Sequence, residues 1–239
     1  MRWLNPYERR QRRRRHLAVA GVFLLGLVVV HLVDRAIVVH FSTRALDEGS
    51  GWVQMWRAVG FLPTWLFIAG AFVLVDRTGG TSEDFWASGR RGIPLALSAA
   101  MAGLAAEALK ILISRERPPG LGGGTEAELA RVGAHVQHLP LSDLWVHYEA
   151  GLGMPSSHTA VAFGGAFMLS RLVPGVWPVA MLAAAGCAYT RLAAGAHFLS
   201  DVYVGVFVAY AVSWMVDRAV PPRPVRDELD RIEAARSGW

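Results

Sequence analysis

The sequence predicts an all-α integral membrane protein: a bundle of six transmembrane helices with an interfacial or lid segment between the third and fourth. Of its 239 residues, 53% are hydrophobic. They are concentrated in runs of about twenty residues with few charges, the length of helix that crosses the hydrocarbon core of a bilayer. The predicted spans are 17–39, 58–75, 92–113, 156–173, 175–194 and 198–219. No stretch between them is long enough for a separate soluble domain, so we expect one membrane domain over 17–219.

Arginine predicts the orientation, because it is enriched in the cytoplasmic loops of membrane proteins. Three basic regions, the N-terminus 1–16, the loop after span two and the tail 220–239, fall on one side of a six-span protein. Their arginines, with Arg218 at the end of the last span, include Arg9, Arg10, Arg12, Arg13, Arg14, Arg15, Arg77, Arg90, Arg91, Arg223, Arg226, Arg231 and Arg236. We therefore expect a multi-pass protein of the cell inner (plasma) membrane, with both termini cytoplasmic and the 114–155 loop extracytoplasmic.

Two other interpretations of the basic residues are less suitable. The formal net charge of +5 would suit nucleic acid, but arginines that flank spans are better explained by orientation and by lipid headgroups. We therefore expect the bilayer, and no nucleic acid, as a partner. The N-terminal cluster resembles the start of a signal peptide. However, the apolar run behind it is too long and no small-residue cleavage site follows, which favours an uncleaved first span.

Span one contains three ionisable residues, His31, Asp34 and Arg35. Such groups at membrane depth usually face the bundle interior and pair with one another. The spacing of three and four residues predicts that all three share one helix face. Both a structural polar cluster and a role in the path of a substrate fit this pattern.

Span three is rich in small residues that favour close helix contact, and it ends in charged residues. Lys110 and Arg117 are separated by two helical turns, so we expect them on one face, with Pro118 stopping the helix. They could be two snorkelling cations or an anion site, and Glu107 is placed to pair with Lys110.

The long segment after span three favours a lid or interfacial helix, beginning at a possible capping box of Thr125 and Glu128. Four of its residues resemble metal ligands but are irregularly spaced: His135, His138, His147 and Glu149.

Cys187 is the only cysteine, which excludes an intramolecular disulfide. We expect no metal and no cofactor.

Span four begins with Ser156, Ser157 and His158. A helix start presents free amide hydrogens and the positive end of the helix dipole, which suits an anion. Ser156 could bind an oxyanion or simply cap the helix.

The turn between spans five and six carries Arg191, His197 and Asp201. On a helix, a spacing of four residues lets the Asp201 carboxylate reach the His197 imidazole. A carboxylate that holds one ring nitrogen leaves the other free as a nucleophile or base, and a guanidinium suits a phosphate. The alternative is a histidine and an aspartate at a wet membrane edge.

The six-span topology places these three groups on the same side of the membrane. Together they provide three cations for a dianionic phosphate, two histidines and one orienting carboxylate. That set is what phosphoryl transfer without a metal requires.

The motifs K-x6-R-P at 110–118, P-S-S-H at 155–158 and T-R-x5-H-x3-D at 190–201 resemble the three-part signature of the type 2 phosphatidic acid phosphatase family. These lipid phosphatases are related in their active site to vanadium haloperoxidases. Two positions depart from the family pattern, which has glycine in place of Ser157 and serine in place of Thr190. Serine still supplies the backbone amide used at the first position, and threonine keeps the hydroxyl at the second.

The resemblance implies a role for each residue. His197 is the nucleophile that becomes a phosphohistidine, Asp201 holds its tautomer, and His158 is the general acid and then the base for water. The implied phosphate-binding residues are Lys110, Arg117, Ser156, Ser157 and Arg191.

The leading hypothesis is a lipid phosphatase of the extracytoplasmic leaflet. Undecaprenyl pyrophosphate, phosphatidylglycerophosphate, phosphatidic acid and lipid A 1-phosphate are all substrates of the family, and the sequence selects none of them. The alternatives are a lipid phosphotransferase and a non-enzymatic membrane protein or transporter. The oligomeric state is not predicted by the sequence.

Overall fold

The computed structural model describes residues 6–42, 46–47, 49–78, 89–118 and 151–220. These residues form seven α-helices, one 3-10 turn at Pro174–Val176 and no strand, which confirms the all-α prediction. The helices are α1 (Pro6–Ser42), α2 (Gly51–Ala58), α3 (Leu62–Thr78), α4 (Gly92–Ile113), α5 (Ser157–Leu172), α6 (Trp177–Ala193) and α7 (Leu199–Ala219).

Four or five segments of the described chain are long and apolar enough to cross a membrane. Four are continuous: Leu17–Phe41, Gly92–Ile113, Pro174–Ala193 and Leu199–Ala219. Helices α2 and α3 satisfy the same criteria only as a pair, and they are bent by 61° relative to each other. Helix α5 has 16 residues, fewer than the roughly 20 that span the hydrocarbon core. The protein is therefore a multi-pass helical membrane protein, and the count of six spans stays a prediction.

Helix α5 lies at the centre of the bundle and packs against α4, α6 and α7. Its contact with α4 is close because each helix places a glycine against the other. Gly103 of α4 faces Val161 of α5, and Gly164 of α5 faces Ala102 of α4. A Cβ atom on Gly103 would lie 2.7 Å from Val161, and one on Gly164 would lie 2.8 Å from the Ala102 Cβ atom. The predicted close contact of span three is confirmed. Small residues let membrane helices approach until van der Waals packing stabilises the pair.

Two serines reinforce this contact within the apolar core. The Ser98 hydroxyl of α4 donates a hydrogen bond to the Gly164 carbonyl of α5 over 2.7 Å. The same hydroxyl lies 2.8 Å from the Ser213 hydroxyl of α7. All three central helices are thus linked by buried polar groups that have partners, as the low-dielectric interior requires.

Helix α1 packs against α7 and presents most of its apolar side chains outward, where lipid would surround them. Its polar residues do not share one face, so the predicted three-residue cluster is wrong. Asp34 is buried, whereas His31 and Arg35 are exposed. Only Asp34 therefore faces the bundle.

The end of α4 also differs from the prediction. The helix stops at Ile113, before the prolines, because Ser114 adopts the left-handed conformation with φ of 54°. Lys110 and Arg117 therefore do not lie on one helix. Instead, the chain after Ser114 runs alongside residues 151–153. Glu116 forms a β-bridge with Leu152, and the Gly153 amide donates to the Arg115 carbonyl over 2.7 Å.

Several predictions concern residues outside the described ranges. They include most of the 114–155 segment with its capping box and four candidate metal ligands, and nearly all of the 220–239 tail. In the basic N-terminus, α1 already begins at Pro6, ahead of the predicted span at 17.

Candidate active site

One end of the bundle gathers the residues that the three motifs predict. The ends of α4 and α6 meet the starts of α5 and α7 there, and backbone hydrogen bonds join the segments. The Ser156 amide donates to the Asp201 carbonyl over 3.0 Å. This bond connects the P-S-S-H motif directly to the T-R-x5-H-x3-D motif.

His197 lies in the turn between α6 and α7, where Gly195 has φ of 65°. Its Nδ1 atom lies 3.5 Å from Oδ2 of Asp201. This distance is too long for a strong hydrogen bond, and no described group makes a well-aligned bond to Nδ1. The same Oδ2 atom accepts a hydrogen bond of 2.9 Å from the Phe198 amide. Asp201 thus faces Nδ1, which leaves Nε2 as the ring nitrogen available for chemistry.

Burial favours the neutral form of the His197 imidazole. The side chain is 2% exposed, and this burial lowers the pKa of His197 below its ordinary value. The Asp201 carboxylate opposes the decrease in pKa, while the positive charges of Arg117 and Arg191 add to it. A neutral imidazole has a free lone pair, which a nucleophile needs.

His158 lies in the first turn of α5, with its ring edge against Phe61 at a centroid distance of 5.0 Å. Its Nε2 atom is buried and has no hydrogen-bond partner among the described residues. His158 interacts electrostatically with His197 and with three cations, Arg191, Arg57 and Lys110. The two histidines therefore belong to one positively charged site.

Two further cations of the motifs lie on the segment that ends α4. Lys110 is buried, and its Nζ atom forms a 2.8 Å ion pair with Glu107, as predicted. Arg117 is exposed, and its Nε atom donates to the Leu152 carbonyl over 3.3 Å. Although they do not share a helix, the charge of Arg117 acts on both Lys110 and His197. The site thus combines the buried His197 and the partly buried His158 with converging positive charge.

A sequence model of the PAP2 superfamily matches residues 91–224, more than half of the chain. The chain belongs to the PAP2 superfamily. It is accordingly a phosphatase, and its apolar helices make it a membrane enzyme of the lipid phosphatase class. The resemblance inferred from the three motifs is confirmed.

A solved structure supports the fold of this PAP2 protein. The chain resembles the crystal structure of a transmembrane PAP2-type phosphatidylglycerolphosphate phosphatase from Bacillus subtilis, with a TM-score of 0.52 and 18% sequence identity. The match covers 84% of this chain and 93% of the other. No curated protein matches the chain.

The two departures from the PAP2 pattern have different surroundings. The Ser157 hydroxyl donates to Oε1 of Glu107, the same atom that binds Lys110. The Thr190 hydroxyl donates to the Cys187 carbonyl over 2.7 Å, one turn earlier in α6. The Thr190 hydroxyl is therefore bonded within its own helix, whereas the Ser157 hydroxyl links the start of α5 to Glu107 and Lys110 of α4.

Ser156 is the N-cap of α5 and is fully buried. Its hydroxyl oxygen lies 3.0 Å from the Thr159 hydroxyl and accepts a longer bond, of 3.5 Å, from the Thr159 amide. The structure thus gives this side chain the capping role. Binding of phosphate by Ser156 stays a prediction.

Three charged or polar residues of this PAP2 site were not predicted from the sequence: Arg57, Arg115 and Ser200. Arg57 lies in α2, outside all three motifs, and adds positive charge near His158. Arg115 is one of the six positions that the K-x6-R-P motif leaves unspecified, and it is 1% exposed. A long charged side chain two residues from a motif position was the only signal for it.

Among the described residues, no three or more His, Cys, Asp or Glu side chains are grouped closely enough to hold a metal ion.

Proposed function

We propose that this phosphatase removes a phosphate from a lipid phosphate or pyrophosphate at the extracytoplasmic leaflet, through a phosphohistidine formed on His197. The observation that carries the proposal is the pair of His197 and Asp201. The carboxylate faces Nδ1 at 3.5 Å, so the free Nε2 lone pair is the attacking group. The second histidine and three motif cations that act on this site supply what the rest of the reaction needs.

In the first step, Nε2 of His197 attacks phosphorus and the bond from phosphorus to the leaving oxygen breaks. His158 donates a proton to that oxygen, which departs as an alcohol or a lipid phosphate. General acid help of this kind accelerates proton transfer by about 10²–10⁴-fold. Asp201 stabilises the positive charge that develops on the imidazole.

In the second step, water attacks the phosphohistidine. His158 has lost its proton and now takes one from that water, so the same residue serves both halves of the reaction. The bond between phosphorus and Nε2 breaks, inorganic phosphate leaves, and His197 returns to its neutral form. Neither step consumes a cofactor.

The charge of the phosphate is balanced by Lys110, Arg117 and Arg191, with the Ser157 amide at the start of α5 as a further donor. Guanidinium groups bind phosphate oxygens in pairs, and a helix start favours an anion. Ser156 is a further phosphate-binding residue through its place at this helix start.

The proposed layout has a cytoplasmic N-terminus at 1–16, a catalytic membrane domain at 17–219 and a cytoplasmic tail at 220–239. The reasoning is that arginine-rich segments stay in the cytoplasm. This places the site on the periplasmic or external face, beside the headgroups of that leaflet.

The test is phosphate release by the purified protein from phosphatidylglycerophosphate, phosphatidic acid, undecaprenyl pyrophosphate and lipid A 1-phosphate, with lipid products identified by mass. Phosphatidylglycerophosphate is tried first because a phosphatase of that lipid shares the fold. We expect free phosphate and a dephosphorylated lipid from at least one substrate, and none from His197→Ala. A phosphorylated acceptor lipid without free phosphate would instead support the phosphotransferase, and no product from any lipid would contradict both.

A further inference from the structure

Arg115 binds the carboxylate that faces the proposed nucleophile. Its Nη1 atom donates to Oδ1 of Asp201 over 2.8 Å, and the two side chains are 1% and 0% exposed. Its guanidinium carbon lies 4.2 Å from the centre of the Phe198 ring. One oxygen of Asp201 is therefore held by Arg115, and the other is left for the Phe198 amide and His197.

Asp34 of α1 holds the opposite side of the same guanidinium. Nη2 of Arg115 donates to Oδ2 of Asp34 over 3.1 Å. Oδ1 of Asp34 accepts a 2.9 Å hydrogen bond from the Ser200 amide in the first turn of α7. A carboxylate at a helix start is stabilised by the free amides and the helix dipole. Asp34 thus fixes both Arg115 and the helix that carries Asp201.

This chain of contacts extends beyond the region that matches the superfamily. The match begins at residue 91, whereas Asp34 lies in the first helix. The network contains two carboxylates and one guanidinium, and the Asp201 carboxylate places negative charge next to His197, where it opposes the positive charges of Arg117 and Arg191. Such a negative charge favours an imidazole that becomes positive when Nε2 is phosphorylated.

We propose that Asp34 and Arg115 are positioning residues for the reaction: they orient the Asp201 carboxylate toward Nδ1 of His197. Helix α1 is then part of the catalytic apparatus through one buried side chain. The kinetic consequence rests on the proposed function, but the orientation itself does not. His31 and Arg35, the exposed neighbours of Asp34, take no part.

The kinetic test uses Asp34→Asn, which keeps the shape of the side chain and an oxygen for the Ser200 amide. We expect kcat to fall roughly 10- to 100-fold, by analogy with the loss seen when the hydrogen-bond partner of a metal-ligating side chain is removed. KM should change less than about threefold, because the phosphate-binding cations remain. Asp34→Glu keeps the charge and should retain more of kcat. Arg35→Gln, on the same helix, is the matched control and should behave as wild type.

The second measurement needs no activity. In protein labelled with ¹⁵N-histidine, the His197 signals are identified by their absence in His197→Gln. Asp34→Asn and Arg115→Lys should both shift the Nδ1 signal of His197, since a single ammonium cannot bind Asp201 and Asp34 as a guanidinium does. Arg35→Gln should leave it unchanged.

The two measurements separate the two proposals. If wild type releases no phosphate from any lipid, the proposed function fails, and the His197 spectrum still decides the positioning. An unchanged His197 signal in folded Asp34→Asn or Arg115→Lys would overturn the positioning proposal. The positioning proposal would also be overturned if the loss of activity were no larger than the loss of folded protein measured by thermal unfolding. If Asp34→Asn does not fold, Arg115→Lys and Asp34→Glu supply the same comparison.

Discussion

The Nδ1 atom of His197 lies 3.5 Å from Oδ2 of Asp201, and both side chains are almost fully buried. Because little water reaches the pair, the carboxylate is the main group that opposes the decrease in the pKa of His197 caused by burial. The pair therefore influences both the tautomer of His197, the proposed nucleophile, and the pH at which it becomes protonated.

The first prediction concerns this pKa. A base whose pKa is lowered stays neutral above its folded pKa and loses its lone pair only as the pH falls below it. In the pH–rate profile, the loss of rate at acidic pH that His197 causes, the acidic limb, should therefore lie below the ordinary histidine pKa of about 6.5. Asp201→Asn removes the group that raises the pKa, so the limb should move to still lower pH. The measurement is the rate of phosphoenzyme formation against pH in wild type and variant.

The rate plateau should fall as well, since an asparagine can select the wrong tautomer. In a Ser-His-Asp triad, the same replacement lowers kcat by roughly 10⁴. Wild type and Asp201→Asn are compared with the same substrate, so the titration of the substrate phosphate affects both profiles equally. A limb that moves to higher pH in Asp201→Asn would show that another group controls the ionisation.

The second prediction concerns Glu107, whose Oε1 atom binds Lys110 at 2.8 Å and also accepts from Ser157. If Lys110 binds phosphate as proposed, Glu107 competes with phosphate for it, so Glu107→Gln should tighten inhibition by inorganic phosphate. Because the Glu107 side chain is 40% exposed, solvent screens the pair and its strength is at most about 1 kcal/mol. We therefore expect the inhibition constant to fall by no more than about fivefold.

The control is Asp217→Asn, which removes a carboxylate paired with Arg171 at the other end of the bundle. It should leave phosphate inhibition unchanged. Weaker inhibition in Glu107→Gln would mean that Glu107 holds Lys110 in its phosphate-binding position.

Apolar length predicted the central helices closely. Span three at 92–113 is helix Gly92–Ile113, and span six at 198–219 is Leu199–Ala219. Span two was shifted because residues 51–58 form a helix of their own, bent by 61° from the next. Hydropathy records how apolar a segment is and not its direction, so this bend could not be found.

The gathering of the motif residues at one end of the bundle was predictable, because phosphoryl transfer without a metal requires cations, a nucleophile and an orienting carboxylate in one place. The contacts of Arg115 were not, because they depend on the turn at Ser114 and on pairing with residues 151–153. That pairing joins segments more than thirty positions apart, which no helical spacing describes. Asp34 was recognised as unusual in an apolar span, but its partners lie on other elements.

The third prediction is hydrolysis without a divalent metal. The three cations of the motifs provide positive charge at the site. In metal-dependent phosphatases, a metal ion stabilises the negative charge of the phosphate in this way. EDTA should leave phosphate release unchanged, and vanadate, which mimics pentacoordinate phosphorus, should inhibit. Loss of activity in EDTA that magnesium restores would contradict the mechanism.

The fourth prediction concerns orientation. Asp47, exposed near the site end, and Arg171, exposed at the opposite end of α5, provide a matched pair of positions. In a Cys187→Ala background, an impermeant thiol reagent should label Asp47→Cys in intact cells made permeable at any outer membrane. It should label Arg171→Cys only after lysis. The reverse pattern would place the active site in the cytoplasm.

The last prediction separates the roles of the two histidines. If His197 attacks phosphorus, His197→Ala should lose the covalent route with every substrate. The importance of His158 should depend on the leaving group, because an alkoxide needs a proton and p-nitrophenolate does not.

His158→Ala should therefore lose about 10²–10⁴-fold on a lipid monoester and yet release p-nitrophenol in a rapid first turnover. The following turnovers should be slow, since His158 also activates the water, and the phosphate should remain on His197. The measurement is rapid mixing with p-nitrophenyl phosphate, followed by detection of the phosphoenzyme at neutral or alkaline pH, where phosphohistidine survives. A burst from His197→Ala together with none from His158→Ala would mean that the nucleophile is His158, because only the attacking histidine can retain the phosphate after the nitrophenol has gone.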